Sequence, residues 1–169
     1  MFDDALEADL ITRARNGDRR AGEALYLRHV RYVGGMVVRL MRGADDAEDV
    51  VQDTFVIALN RLDRLRDQTS FRPWVAQIAV SQIHRRYRRL RLWRALGLGR
   101  APEGDPIFLQ TMATQDAPPD ARAELALLDR ALTHIGAVER VAWMLRFVEG
   151  ESLEDVARLC GCSLATAKR

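Results

Sequence analysis

Wound as a helix at about 100° per residue, residues 74–93 gather Trp74, Gln77, Ser81, His84, Arg85 and Arg88 on one stripe. These types do not make a catalytic set. Ser81 and His84 have no supporting acid, and nowhere does the chain carry a glycine-rich phosphate loop or a metal-ligand spacing. What they can do is bind. An aromatic ring offers a stacking platform and arginines follow a phosphate backbone, a mixture suited to single-stranded or melted nucleic acid. The alternative is a solvated basic face with Trp74 half-buried at the helix start and His84 as a surface polar group. Either way the chain is expected to bind rather than catalyse, with no metal and no cofactor.

Two further stretches carry recognition chemistry. In DDAEDVVQDTF, residues 45–55, acids crowd together with no base among them. Asp49, Gln52, Asp53, Val56 and Asn60 share one face, opposite an apolar stripe of Val51, Phe55, Ala58, Leu62 and Leu65. Such acids suit a solvated face near a helix N-terminus. They would also repel DNA, so the alternative is a docking surface for a basic protein partner. At the C-terminus, ESLEDVARLCGCSLATAKR has the order of a helix-turn-helix: a short helix, a turn at Gly161, and a second helix capped by Ser163. Ala165, Thr166, Lys168 and Arg169 face outward and Leu164 and Ala167 inward. The outward set is placed to reach base edges in a major groove, unless the pair is an ordinary helical hairpin.

The elements that position these residues are all helical, and β-branched alternation is nowhere sustained. Leu10, Ile11 and Ala14 begin an amphipathic segment that stops near Asn16-Gly17. Asp18 caps a long helix to about Met41, with Leu25, Val30, Val33, Val37 and Leu40 on its apolar face. Gly34-Gly35 inside it either weakens the helix or permits close packing. Asp45 or Asp46 caps the next helix. RDQTSFRP, 66–73, is a polar loop, with Pro73 in the first turn of the helix from about Trp74 to Trp93. Val75, Ile78, Ala79, Ile83 and Leu90 form the inner face of that helix. From 96 to 120 three glycines and four prolines interrupt all periodicity, and the stretch is expected to be an extended linker. Helices over 121–134, 137–148 and 152–160 precede the last one. The fold expected is all-α: two small helical domains, 1–95 and 121–169, joined by the linker 96–120.

Composition sets the outer bounds. The net charge is +2 over 169 residues, yet 81–100 carries seven arginines and no acid. That local imbalance predicts partners better than the net figure. Lys168 is the single lysine, and arginine suits bidentate contacts to phosphate and base edges. Cys160 and Cys162 suggest reduced core residues rather than a disulfide framework. The acidic N-terminus MFDDALEADL is no targeting peptide, and no apolar run is long enough for a membrane span. The chain is expected to be cytoplasmic, without membrane insertion.

In order, these units resemble a bacterial RNA polymerase sigma factor of the extracytoplasmic-function group, sigma-70 family. DAEDVVQDTF with ALNRLD resembles region 2.2, FRPWVAQIAVSQIHRRYRR regions 2.3 and 2.4, and VEGESLEDVARLCGCSLATAKR region 4.2. The resemblance implies a promoter-specificity subunit with no catalysis of its own. Asp49, Gln52, Asp53 and Val56 would dock on the clamp coiled coil of the largest polymerase subunits, with the flap as a further contact. Trp74, Gln77, Ser81, His84, Arg85 and Arg88 would read and open the −10 element. Asp67, Gln68, Thr69, Ser70 and Phe71 would receive a flipped base. Ala165, Thr166, Lys168 and Arg169 would read the −35 element, weakly, because the recognition helix is cut short. An anti-sigma factor is an implied partner. Outside the resemblance stands a helix-turn-helix regulator acting independently of core polymerase.

Overall fold

A computed structural model describes residues 2–41, 46–67, 71–96 and 118–169. Eight α-helices and one 3-10 turn form among them, and no strand. They are α1 (Phe2–Arg15), α2 (Arg19–Met41), α3 (Ala47–Asn60), the 3-10 turn (Leu62–Arg64), α4 (Phe71–Ala95), α5 (Pro119–Thr133), α6 (Ala137–Phe147), α7 (Leu153–Cys160) and α8 (Leu164–Ala167).

Local chemistry explains most of the boundaries. Gly17 adopts φ 88°, a left-handed turn that ends α1. One residue later Asp18 Oδ1 accepts from the backbone N–H groups of Arg20 and Ala21 at 2.9 and 3.3 Å, capping α2. Its other oxygen takes the Arg13 guanidinium at 2.7 Å, and this contact holds the Asp18 carboxyl below its ordinary pKa. Arg15 donates to the carbonyls of Leu62, at 2.8 Å, and Leu65, tying α1 to the chain leaving α3. Ser152 accepts from the Asp155 N–H at 3.0 Å to start α7, Gly161 ends it at φ 65°, and Ser163 starts α8.

Two expected boundaries differ. Asp46 sits at the N-cap position of α3 but makes no side-chain cap, because its carboxylate is drawn to Arg86 of α4, with Nε at 3.1 Å. Asp45, the other candidate, lies outside the described residues. α4 begins at Phe71, three residues ahead of expectation. Pro73 still occupies its first turn, where a missing N–H removes no helical hydrogen bond.

The apolar stripes meet in the middle. Leu25, Val33, Val37 and Leu40 of α2, Val51, Phe55 and Ala58 of α3, and Val75, Ala79, Val80 and Ile83 of α4 are buried together. Each such larger side chain contributes about 1.5–3 kcal/mol relative to exposure. The glycine pair 34–35 breaks nothing and meets no neighbouring helix. Gly22 is the α2 glycine that faces α3, where a Cβ would meet the Leu59 side chain at an ordinary packing distance.

The same core continues into the C-terminal half through Leu132, Val141, Met144, Leu145, Val156 and Leu159. α7 packs on α4, and α6 on α2 and α4. The expected linker falls almost wholly outside the described residues, between the ends of α4 and α5. No described helix is long and apolar enough to cross a membrane.

Candidate nucleic-acid interface and acidic docking face

α3 presents two chemically opposite faces. Val50, Val51, Thr54, Phe55 and Ala58 are buried, and the Thr54 hydroxyl is satisfied by the Val50 carbonyl at 2.6 Å. Tyr26 of α2 stands edge-on to Phe55, with ring centroids 4.9 Å apart, and steadies the helix from that side. Asp49, Gln52, Asp53 and Val56 all face solvent. Val56 is 52% exposed, an apolar side chain on the same face as two acids and an amide. Apolar contact beside charge is a combination that protein-docking surfaces use.

The α4 stripe is less uniform. Ser81, Arg85 and Arg88 are exposed, while Trp74 and Gln77 are half-buried. The Trp74 ring leans on Phe71 with centroids 5.9 Å apart, and Gln77 Nε2 donates to the Arg158 carbonyl of α7 at 3.2 Å. His84 departs from the expectation of a surface group: it is 6% exposed, and its Nε2 is buried without a hydrogen-bond partner among the described residues. The physical reason is tertiary. α6 and α7 lie against α4 and cover an edge of the stripe that a single-helix projection shows as open. Burial, with Arg88 adding to it, pushes the His84 pKa down, while Glu139 opposes the shift, so the ring is neutral at physiological pH.

Phe71 is a second correction. It is fully buried, with its ring centroid 4.9 Å from that of His29 and 5.9 Å from that of Trp74. Its ring is part of the floor beneath the stripe and is not placed to meet a flipped base. Asp67 is exposed. Gln68, Thr69 and Ser70 lie outside the described residues.

A cleft of about 320 Å³ runs between α3, α4 and α7, lined by Arg61, Gln77, Ser81, His84, Arg88 and Gly161 among others. Arg61 was absent from the sequence-derived set. Its signal was weak, a lone arginine just past the end of α3, and only the approach of α3 to α4 brings it beside Arg88. Cys160 also borders the cleft. Burial pushes its thiol up to about 11, so it is a protonated, unreactive side chain at neutral pH. Among the described residues no His, Cys, Asp or Glu cluster could hold a metal ion.

In α8 and the two residues after it, Ala165, Thr166, Lys168 and Arg169 are exposed and Leu164 and Ala167 half-buried. The Thr166 hydroxyl lies 2.9 Å from Ser163 Oγ, so part of its hydrogen-bonding capacity is used in the cap.

Residues 25–95, which contain both α3 and α4, match the family model described as Sigma-70 region 2. Over 156 residues the chain is 33% identical to RNA polymerase sigma factor CarQ of Myxococcus xanthus, covering 92% of this chain and 86% of CarQ. The chain belongs to the extracytoplasmic-function group of the sigma-70 family. This sigma factor is also 27% identical over 180 residues to the RNA polymerase sigma-H factor of Pseudomonas aeruginosa, covering 99% of this chain and 89% of that one. Among solved structures it resembles CnrH in complex with the cytosolic domain of CnrY, with a TM-score of 0.58, 25% identity, and coverage of 96% and 88% of the two chains. The fold is shared too with the sigma factor RpoE bound to the anti-sigma factor NepR from Bartonella quintana, at a TM-score of 0.55, 24% identity, and 86% of each chain. The two-part helical architecture is therefore that of the group, and α3 and α4 are its region 2 helices.

Proposed function

We propose that this sigma factor docks on core RNA polymerase through the acidic face of α3 and reads the −10 promoter element with the arginine-bearing face of α4. Asp49, Gln52 and Asp53 supply charge to a basic polymerase surface, the clamp coiled coil, and Val56 supplies the apolar contact between them. Ser81, Arg85, Arg88 and the Trp74 ring meet the melted strand, with Arg61 extending the basic rim. Ala165 and Thr166 of α8, with Lys168 and Arg169 just after it, read the −35 element in duplex form, and the C-terminal domain takes the polymerase flap. The boundaries of the two working units are 1–95 and 121–169, with 96–120 as the connection. The protein contributes binding and strand selection rather than a chemical step, and it acts in the cytoplasm beside polymerase. Its structural neighbour CnrH is captured with a partner domain, and an anti-sigma protein is proposed for this chain in the same sense.

One observation carries this reading. The acids of α3 and the arginines of α4 sit on adjacent, packed helices but point to different surroundings, so one body can hold polymerase and DNA at once. The test is the double charge reversal D49K/D53K. Binding to core polymerase, measured by pull-down and by run-off transcription, is expected to weaken at least about thirtyfold. Unchanged polymerase binding by the folded variant would remove α3 from the interface.

A further inference from the structure

Several arginines around the packed helices are held by carboxylates. Arg39 of α2 is paired with Glu149 at 2.8 Å, Arg86 of α4 with Asp46 at 3.1 Å, and Arg158 of α7 with Asp155 at 2.6 Å. Arg61 and Arg88 differ. Both are exposed, and neither makes an ion pair or a side-chain hydrogen bond among the described residues. Both line the cleft of about 320 Å³ between α3, α4 and α7, and none of the described residues lining it is an acid. Like charges on one concave surface without a counter-ion repel each other, and the field they focus there favours an incoming anion.

The remaining lining suits more than a bare ion. Ser81 and Gln82 offer a hydroxyl and an amide with no partner among the described residues. Ile57 of α3 and Ile78 of α4, both half-buried, and the buried Leu159 of α7 supply apolar surface. The cleft is of the size of small-molecule sites, which likewise combine apolar walls with a few convergent polar groups. We infer that this cleft binds a small phosphorylated molecule of nucleotide size: Arg61 and Arg88 grip the phosphate, Ser81 and Gln82 bond to its polar body, and Ile57, Ile78 and Leu159 carry its ring. Arg61, Ser81 and Arg88 are exposed, so the phosphate end is reached from solvent. A melted DNA strand offers the same phosphate chemistry, and its use of Ser81 and Arg88 rests on the reading of α4 proposed above. The ligand and the strand therefore compete for those two side chains.

The full chain is titrated by calorimetry with adenosine monophosphate at constant ionic strength, beside adenosine and inorganic phosphate. The nucleotide is expected to bind saturably, and each of its fragments at least about tenfold more weakly. R61A and R88A are each expected to weaken nucleotide binding about tenfold or more, through loss of a charge-assisted contact. R88K keeps the charge without the fork, and is expected to fall between R88A and wild type. R89A removes an exposed α4 arginine that does not line the cleft, and is expected to leave nucleotide binding unchanged. Absence of saturable nucleotide binding overturns the site. So does an equal loss in R89A and R88A, which non-specific attraction to the helix would give. Phosphate binding as tightly as the nucleotide overturns the assigned ligand size. Competition with a fluorescein-labelled single-stranded oligonucleotide reads the strand separately, and saturating nucleotide is expected to weaken strand binding. Nucleotide binding with strand affinity unchanged would remove Ser81 and Arg88 from the proposed strand contacts and leave the cleft site standing. Strand binding that depends on Arg61 and Arg88, with no nucleotide binding, would make the cleft part of the strand path and overturn the small-molecule site.

Discussion

α3 and α4 are neighbours in sequence and in space, yet their working faces are in opposite states. On the acidic face of α3, Asp49, Gln52, Asp53 and Val56 are exposed, and Asp49 and Asp53 make no ion pair among the described residues. The basic face of α4 is partly consumed: Gln77 is bonded to α7, His84 is buried, Phe71 lies in the core, and only Ser81, Arg85 and Arg88 stand in solvent. The contrast teaches that charge and periodicity identify a recognition helix, whereas its availability is decided by whatever packs on it. It also predicts which face can meet a partner first.

The comparison breaks most visibly at Phe71. If Phe71 is floor rather than surface, F71A opens a cavity among His29, Trp74 and the α2–α4 core. The expected loss is about 3–5 kcal/mol of stability, seen as a lower denaturant midpoint in urea unfolding. A base-receiving surface ring would instead leave stability near wild type and weaken only strand binding.

Arg85 and Arg88 sharpen the same contrast at smaller cost. Both are exposed and neither holds the fold. R85A and R88A are each expected to lower the salt slope of single-strand binding by about 0.7–0.9 per lost phosphate contact, with unfolding midpoints unchanged. Equal slopes for wild type and both variants would place these arginines in bulk solvent.

Much of this was legible in the sequence, and the exceptions share a cause. The buried stripe of α3, the Asp18 cap, the stop at Gly17 and the Ser152–Gly161–Ser163 framework of the helix-turn-helix are local: neighbours within a turn or two determine them. Phe71 was hidden because RDQTSF is polar in composition, and a single aromatic at its edge has no period to betray it. Asp46 has good capping chemistry, but Arg86, forty residues away, competes for its carboxylate. His84 lies toward one edge of the α4 stripe, where only the arrival of α6 and α7 separates buried from exposed. The Arg39–Glu149 pair spans 110 positions, and nothing in a helical projection links the two. Sequence showed which faces exist; packing across the two halves determined which are covered.

Backbone strain gives a smaller test, on the C-terminal side of the comparison. Gly161 holds φ 65° with open space where a Cβ would project, so G161A meets no clash and its cost is the left-handed conformation, about 1–2 kcal/mol. The expected readout is a lower urea midpoint for G161A.

The subtlest expected effect is pH dependence at His84. Burial first, then Arg88, lowers its folded pKa below the ordinary imidazole value of 6.5, and Glu139 only partly opposes this. Above that value the ring is neutral in both the folded and unfolded chain, and it contributes no slope. As pH falls through it, the unfolded chain takes up a proton that the folded chain refuses. The unfolded state then binds more protons, and stability declines until the folded pKa is reached. His29 acts in the same direction, since burial outweighs its contact with Glu7. The wild-type urea midpoint is therefore expected to fall between pH 7 and pH 5, and H84L, which cannot be protonated, to fall less steeply. A slope identical in the two chains would mean that His84 titrates freely and that α4 is not covered on that edge.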